Sequence, residues 1–191
     1  AATIDSAALA GQVFPGEANE ALLGLAAFTD VGVLYYRSDL LIEYGYTDPP
    51  ATWNELEDQA VTIQAGERAS GNTEFHGFVW PGIPGEGLTV NALEWIASHG
   101  GGTLVENGVV TIDNLDAVTA VERSTAWTTT DGISPANTLA LREADALQAF
   151  LDGDAAFLRS WPYAYAVTQE TPALVGNVGV TTIPGLTAET G

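Results

Sequence analysis

A chain of 191 residues with 46% hydrophobic and 16% charged positions carries enough apolar material for one buried core, which excludes a disordered polymer. Its 25 acidic residues face five arginines and no lysine, for a formal charge of -20, so it lacks the cations with which proteins neutralise phosphate and is not expected to bind nucleic acid or anionic lipid. The absence of cysteine excludes disulfides, thiolate–zinc sites and thiol nucleophiles, and the acidity reads as a solvated, self-repelling surface suited to high salt.

No apolar run approaches the ~18 residues of a membrane-spanning helix, and no basic stretch followed by an apolar one marks a signal peptide. The Ala1-Ala2-Thr3 start and the lack of methionine are those of a mature or excised segment. The Ala/Gly-rich opening offers only Ala21 to Ala27 as a short helix or crossing segment. Val31 to Tyr36 then reads as a buried strand, after which Ser38 is placed to cap a helix over Asp39–Tyr44 that Gly45 ends.

Asp48-Pro49-Pro50 is a turn, and Thr52 with Glu55 has the capping-box spacing ahead of a helix that buries Trp53, Leu56, Ala60 and Ile63. Phe75 to Trp80 is a strand, and Leu88 to about His99 a helix stopped by Gly100-Gly101-Gly102. Asn107-Gly108 predicts a two-residue hairpin turn. Asp113 or Asn114 caps a helix with Leu115, Val118 and Val121 on its inner face, and Glu143 to Leu151 turns Leu147, Phe150 and Leu151 inward. Ala155 to Arg159 is a strand that runs into Trp161-Pro162-Tyr163, and Val175 to Ile183 is the last strand. Helices alternating with strands around one hairpin give an α/β domain with a mixed sheet covered by helices.

Enzyme signatures are missing: there is no Gly-x-Ser-x-Gly elbow, no phosphate-binding loop and no dinucleotide fingerprint. His76 and His99 have no partner at metal-ligand spacing and read as surface or strand-end residues, so neither a metal nor a cofactor is expected. Aromatic residues instead gather at strand ends: Tyr35 and Tyr36, Trp80, then Trp161 and Tyr163. In open α/β sheets ligands collect at the carboxyl ends of strands. Proline cannot donate to a sheet ladder, so Pro162 holds two large rings on a rigid, non-sheet segment. Flat rings with polar edges suit a sugar, whose C–H faces are apolar and whose equator is hydroxyl. Asp30, Glu86 and Glu143 are the carboxylates placed to accept those hydroxyls.

Seven segments stand out in order along the chain: Thr29-Asp30-Val31-Gly32-Val33-Leu34-Tyr35-Tyr36-Arg37-Ser38-Asp39-Leu40-Leu41, Pro49-Pro50-Ala51-Thr52-Trp53-Asn54-Glu55-Leu56, Gly77-Phe78-Val79-Trp80, Glu86-Gly87-Leu88 and Glu94-Trp95-Ile96-Ala97-Ser98-His99-Gly100-Gly101, then two more. Those are Ala155-Ala156-Phe157-Leu158-Arg159-Ser160-Trp161-Pro162-Tyr163-Ala164 and Val178-Gly179-Val180 to Pro184-Gly185. Together they resemble family 1 extracellular solute-binding proteins of ABC sugar importers. The Trp-Pro-Tyr version is most similar to the trehalose/maltose-binding branch; Leu158 stands where methionine is usual and His99 where asparagine is common.

The resemblance implies a type II periplasmic-binding-protein-like α/β fold, of which this chain is mainly the second lobe. Residues 1–28 would be an inter-lobe segment and 29–191 the C-terminal-lobe domain, with the N-terminal lobe and C-terminal region absent. It implies a monomeric, extracytoplasmic protein, periplasmic or lipid-anchored, that hands sugar to membrane permease subunits. Trp161 would stack on the sugar, Tyr163 would stack or donate its hydroxyl, and Asp30 and Glu143 would accept hydroxyls. Tyr35, Tyr36, Trp80 and Glu86 are secondary candidates, since one tyrosine of the pair must face the core by strand alternation. Two other classes stay open: a glycoside-cleaving or transferring enzyme with an acidic pair beside the same platform, and a structural or adhesion module with no small ligand.

Overall fold

The computed structural model describes residues 30–187. The predicted Ala21–Ala27 element lies outside the described residues. The chain divides into two compact units, Ala1–Val31 and Gly32–Gly191, and every element below belongs to the second.

Strand β1 (Val33–Arg37) leads into α1 (Ser38–Glu43). The N-cap position is Arg37 and not Ser38, and no side chain caps the helix; Arg37 instead forks onto Asp39 at 2.6 and 2.8 Å. Helix α2 (Trp53–Ala69) begins with the predicted capping box, with the Glu55 N–H on Thr52 Oγ1 at 3.2 Å and the Thr52 N–H on Glu55 Oε2 at 2.9 Å. Next come β2 (His76–Val79), α3 (Glu86–Ser98) and the hairpin β3 (Val105–Glu106) with β4 (Val109–Val110). Asn107 and Gly108 adopt the two positive φ values, 51° and 79°, that such a turn requires.

Helix α4 (Leu115–Thr128) is capped by Asn114, whose Oδ1 accepts the Ala117 N–H at 2.9 Å. Its inner face differs from the prediction. Leu115, Val118 and Val121 are exposed, and Ala117, Ala120, Ser124 and Trp127 are buried. Trp127 fills the space against Trp53, Phe78 and Trp95, at ring-centroid distances of 5.2 to 5.5 Å, so only small side chains fit elsewhere on that face.

A 3-10 turn (Thr138–Ala140) precedes α5 (Glu143–Leu151), β5 (Ala155–Ser160), α6 (Ala164–Glu170) and β6 (Val178–Thr181). Helix α6 was not predicted, and the turns over residues 172–177 shorten the expected last strand to Val178–Thr181.

The sheet order is β2-β5-β1-β6, with β2 parallel to β5 and β1 antiparallel to both β5 and β6. Side-chain alternation splits the core in two. Leu34, Phe78 and Phe157 join Trp53, Leu56, Ile63, Trp95 and Trp127 from α2, α3 and α4. Tyr35, Val79 and Leu158 meet Ala146, Leu147 and Phe150 of α5 and Ala164 of α6. The result is a sheet between two helical layers. Among the described residues no helix is long and apolar enough to cross a membrane.

Candidate functional site

Strands β2, β5 and β6 run one way and β1 the other, as their registers require. The carboxyl ends of β2 and β5 therefore share a sheet edge with the amino end of β1. Tyr35 and Tyr36, at the carboxyl end of β1, do not belong to that edge. Tyr36 pairs with Phe157 and Gly179, and its ring lies over Gly179, where a Cβ would overlap it. Tyr35 is fully buried, yet its hydroxyl donates to the carbonyl oxygens of Trp161 and Pro162, at 2.9 and 3.2 Å. It supports the Trp161 backbone and presents no ring to solvent.

Helix α3 crosses this edge from β2 towards β6. Asn91 donates to the carbonyl of Pro81, just past β2, at 2.9 Å. Glu94 takes a fork from Arg159 of β5, Nε–Oε2 2.9 Å and Nη2–Oε1 2.5 Å. The Ser98 carbonyl accepts the Leu186 N–H, beyond β6, at 2.9 Å. Positions 91, 94 and 98 fall on one helical face.

Arg159 is 1% exposed, and its guanidinium carbon lies 4.1 Å from the centroid of the Trp161 ring. Trp161 is partly exposed, whereas the other four tryptophans are at most 3% exposed. The Trp161-Pro162-Tyr163 segment opens α6: Ala164 donates to the Trp161 carbonyl and Tyr165 to that of Pro162. Pro162 stands just ahead of the N-cap Tyr163, where a proline removes no helical donor and presets φ; this signal for α6 was present in the sequence. Tyr163 and Tyr165 project from the turn and are about half exposed.

Two of the three acidic candidates, Glu86 and Glu143, sit at helix starts, where the helix dipole favours negative charge. Glu143 opens α5 and is half-buried, with a carboxylate oxygen over Gly87 in the first turn of α3, where a Cβ would overlap it. The Leu141 carbonyl accepts the N–H groups of Gly82 and Ile83, at 3.1 and 3.0 Å, which joins this loop to the start of α5. Glu86, the first residue of α3, is exposed. Glu86 and Glu143 are thus brought to one end of α3. Glu94 lies seven residues beyond Gly87, about 10 Å along the helix. Asp30, in the first unit, is exposed and accepts the Val31 N–H at 2.9 Å.

Trp80 turns inward. It is 3% exposed, its Nε1 donates to Ser134 Oγ at 3.1 Å, and it packs edge-on to Trp95 at 5.0 Å. His99 is also buried and not a surface residue: it stacks on Trp53 at 5.9 Å, with Nδ1 2.8 Å from the Trp95 carbonyl. Burial, above all, lowers its pKa below the ordinary histidine value; the Trp95 carbonyl opposes this and Arg123 adds to it. His76, at the start of β2, is lowered by burial and by Arg68.

The sequence reading missed Arg159 and Glu94. The pair carried no local signal: the burial of all six residues of β5, Arg159 included, is set by tertiary packing. Among the described residues one surface depression lies beside Tyr46, Asp48 and Asp58, and another, apolar, beside Leu93, Ile96 and Leu104.

Residues 4–191 match the family described as bacterial extracellular solute-binding protein. A probable ABC transporter-binding protein of Deinococcus radiodurans is 47% identical over 165 residues, covering 85% of this chain and 39% of that protein. The maltose-bound structure of T. maritima MalE3 superposes with TM-score 0.79 at 37% identity, covering 93% of this chain and 46% of that one. A Thermotoga lettingae ABC-transporter solute-binding protein with bound alpha-D-tagatose gives TM-score 0.74 at 21% identity over 93% and 46%, a likeness of fold alone. The chain therefore spans less than half the length of these relatives. Its mixed sheet between helical layers is part of the type II periplasmic-binding-protein fold. The match over nearly the whole sequence, together with this fold, makes the chain a member of the bacterial extracellular solute-binding protein family.

Proposed function

We propose that residues 29–191 form most of the C-terminal lobe of an ABC importer's sugar-binding protein and supply one wall of its ligand site. The observation that carries the reading is Trp161, a partly exposed indole on a proline-stiffened turn at the edge where β2 and β5 end. It is backed by Arg159, tied down by Tyr35, and followed by the exposed Tyr163. An aromatic face supplies buried area to a sugar's C–H surface, while polar groups fix its orientation. Glu143 and Glu86 line the same helix end as hydroxyl acceptors, and Asp30 enters on the family resemblance. Tyr35, buried, supports the wall from behind, whereas Trp80 packs into the core against Trp95.

Maltose in the T. maritima relative and the Trp-Pro-Tyr resemblance favour a glucose-containing disaccharide, maltose or trehalose. The relatives are solute-binding proteins, not enzymes, so the ligand leaves unchanged. Delivery passes to permease subunits at the outer face of the membrane after the lobes close on the sugar. The test is a thermal-shift panel on the protein at its relatives' full length. Maltose or trehalose should raise Tm, and Trp161→Ala should reduce that rise more than Asp58→Asn. A panel of sugars and polyols with no stabilising member would refute the reading. Released monosaccharide would establish the glycosidase alternative.

A further inference from the structure

We propose that Arg159 is a positioning residue that sets the sugar-stacking plane of Trp161 from behind; the inference rests on the sugar-site reading above. Arg159 is paired with Leu34 in the middle of the sheet and is 1% exposed, an expensive place for a charge. Its carboxylate partner, Glu94, keeps about a fifth of its side chain exposed. A buried ion pair is a poor source of stability, since apolar residues of like volume often serve as well or better. This pair has a different geometric consequence. The two-bond fork with Glu94 fixes the guanidinium plane, which lysine has no means to do. The guanidinium carbon then lies over the Trp161 ring, 4.1 Å from its centroid, well within the ~6 Å range of cation–π attraction.

Two further features fit a π partner. Among the described residues Nη1 is buried with no hydrogen-bond acceptor, as expected where the guanidinium packs against a ring. Gly32, just before β1, leaves the space that Glu94 and Arg159 occupy; any Cβ there would overlap both. Glycine, carboxylate, guanidinium and indole thus form a stack in which each member leaves the next one position. Trp161 is ordered before the ligand arrives, and the entropy of fixing a large side chain is not spent on binding.

The experiment uses this chain with 15N-labelled tryptophan. In the wild type the Trp161 indole should be as ordered as the four core indoles. In Arg159→Met it should become mobile on the ps–ns timescale, with Tm unchanged or raised. The maltose Kd read at the Trp161 indole signal should rise roughly three- to tenfold. An indole equally ordered in Arg159→Met, with unchanged affinity, would overturn the proposal. Should Arg159→Met fail to fold, Glu94→Gln, which weakens the fork from its exposed side, provides the same comparison. A wild-type Trp161 signal that ignores maltose would sink the sugar reading alone, because the order comparison still decides what Arg159 does.

Discussion

Tyr35→Phe removes one oxygen from the support of the aromatic platform and leaves the ring in place. Tyr35 is 0% exposed, so no cavity opens and no new apolar surface is created. What is lost is the hydroxyl shared between the carbonyls of Trp161 and Pro162. A net intramolecular hydrogen bond is worth about 0.5–1.5 kcal/mol, and stranding its buried partners adds to that. Here each carbonyl retains one acceptance, from Ala164 and Tyr165 respectively, which limits the addition. We expect a loss of about 1–2 kcal/mol. For a chain of this length that lowers Tm by about 2–8 °C. Urea unfolding followed by tryptophan fluorescence should show a lower midpoint with an unchanged slope, the mark of altered stability and not of altered compactness. A midpoint equal to wild type would refute the anchoring role.

Gly77→Ala would place a Cβ 2.6 Å from Ala60 Cβ and 2.8 Å from its carbonyl oxygen, so α2 must retreat from the sheet; we expect a loss of about 1–3 kcal/mol by chemical denaturation. Leu115→Gln, at a residue 78% exposed, should change stability by less than about 0.5 kcal/mol in the same assay, although the sequence placed Leu115 inside. The folded-state pKa of His99 is depressed, so its contribution is present above the unfolded value near 6.5 and fades as pH falls towards the folded value. Stability measured from pH 7 to 5 should therefore fall less steeply in His99→Gln than in wild type, and equal slopes would refute the assignment.

Features fixed by neighbouring residues were legible in the sequence. Thr52 with Glu55 and Asn107 with Gly108 each settle a local geometry, and both appear as predicted. Faces chosen by tertiary packing were not. On α4 two stripes compete, one through Leu115, Val118 and Val121 and one through Ala117, Ala120 and Trp127. The second wins because a single indole fills the gap that three aliphatic side chains would have needed. Strand direction was equally hidden: β1 runs against its neighbours, which moved Tyr36 away from the edge that holds Trp161. The Trp161-Pro162-Tyr163 turn was legible as a non-sheet aromatic segment. Arg159 behind it was not, since nothing local says that a strand arginine will be buried against an indole.

The five tryptophans provide the most direct test of the central claim, that this edge is a sugar-stacking wall. Four are buried at 0–3% exposure and serve as internal controls for the fifth. Titrating the 15N-tryptophan-labelled chain with maltose, to concentrations high enough for a half-enclosed site, should move the indole signal of Trp161. Those of Trp53, Trp80, Trp95 and Trp127 should stay in place. Because one wall lacks enclosure, the affinity should be weaker than millimolar. A Trp161 signal that stays fixed throughout, or shifts confined to the core indoles, would contradict the account.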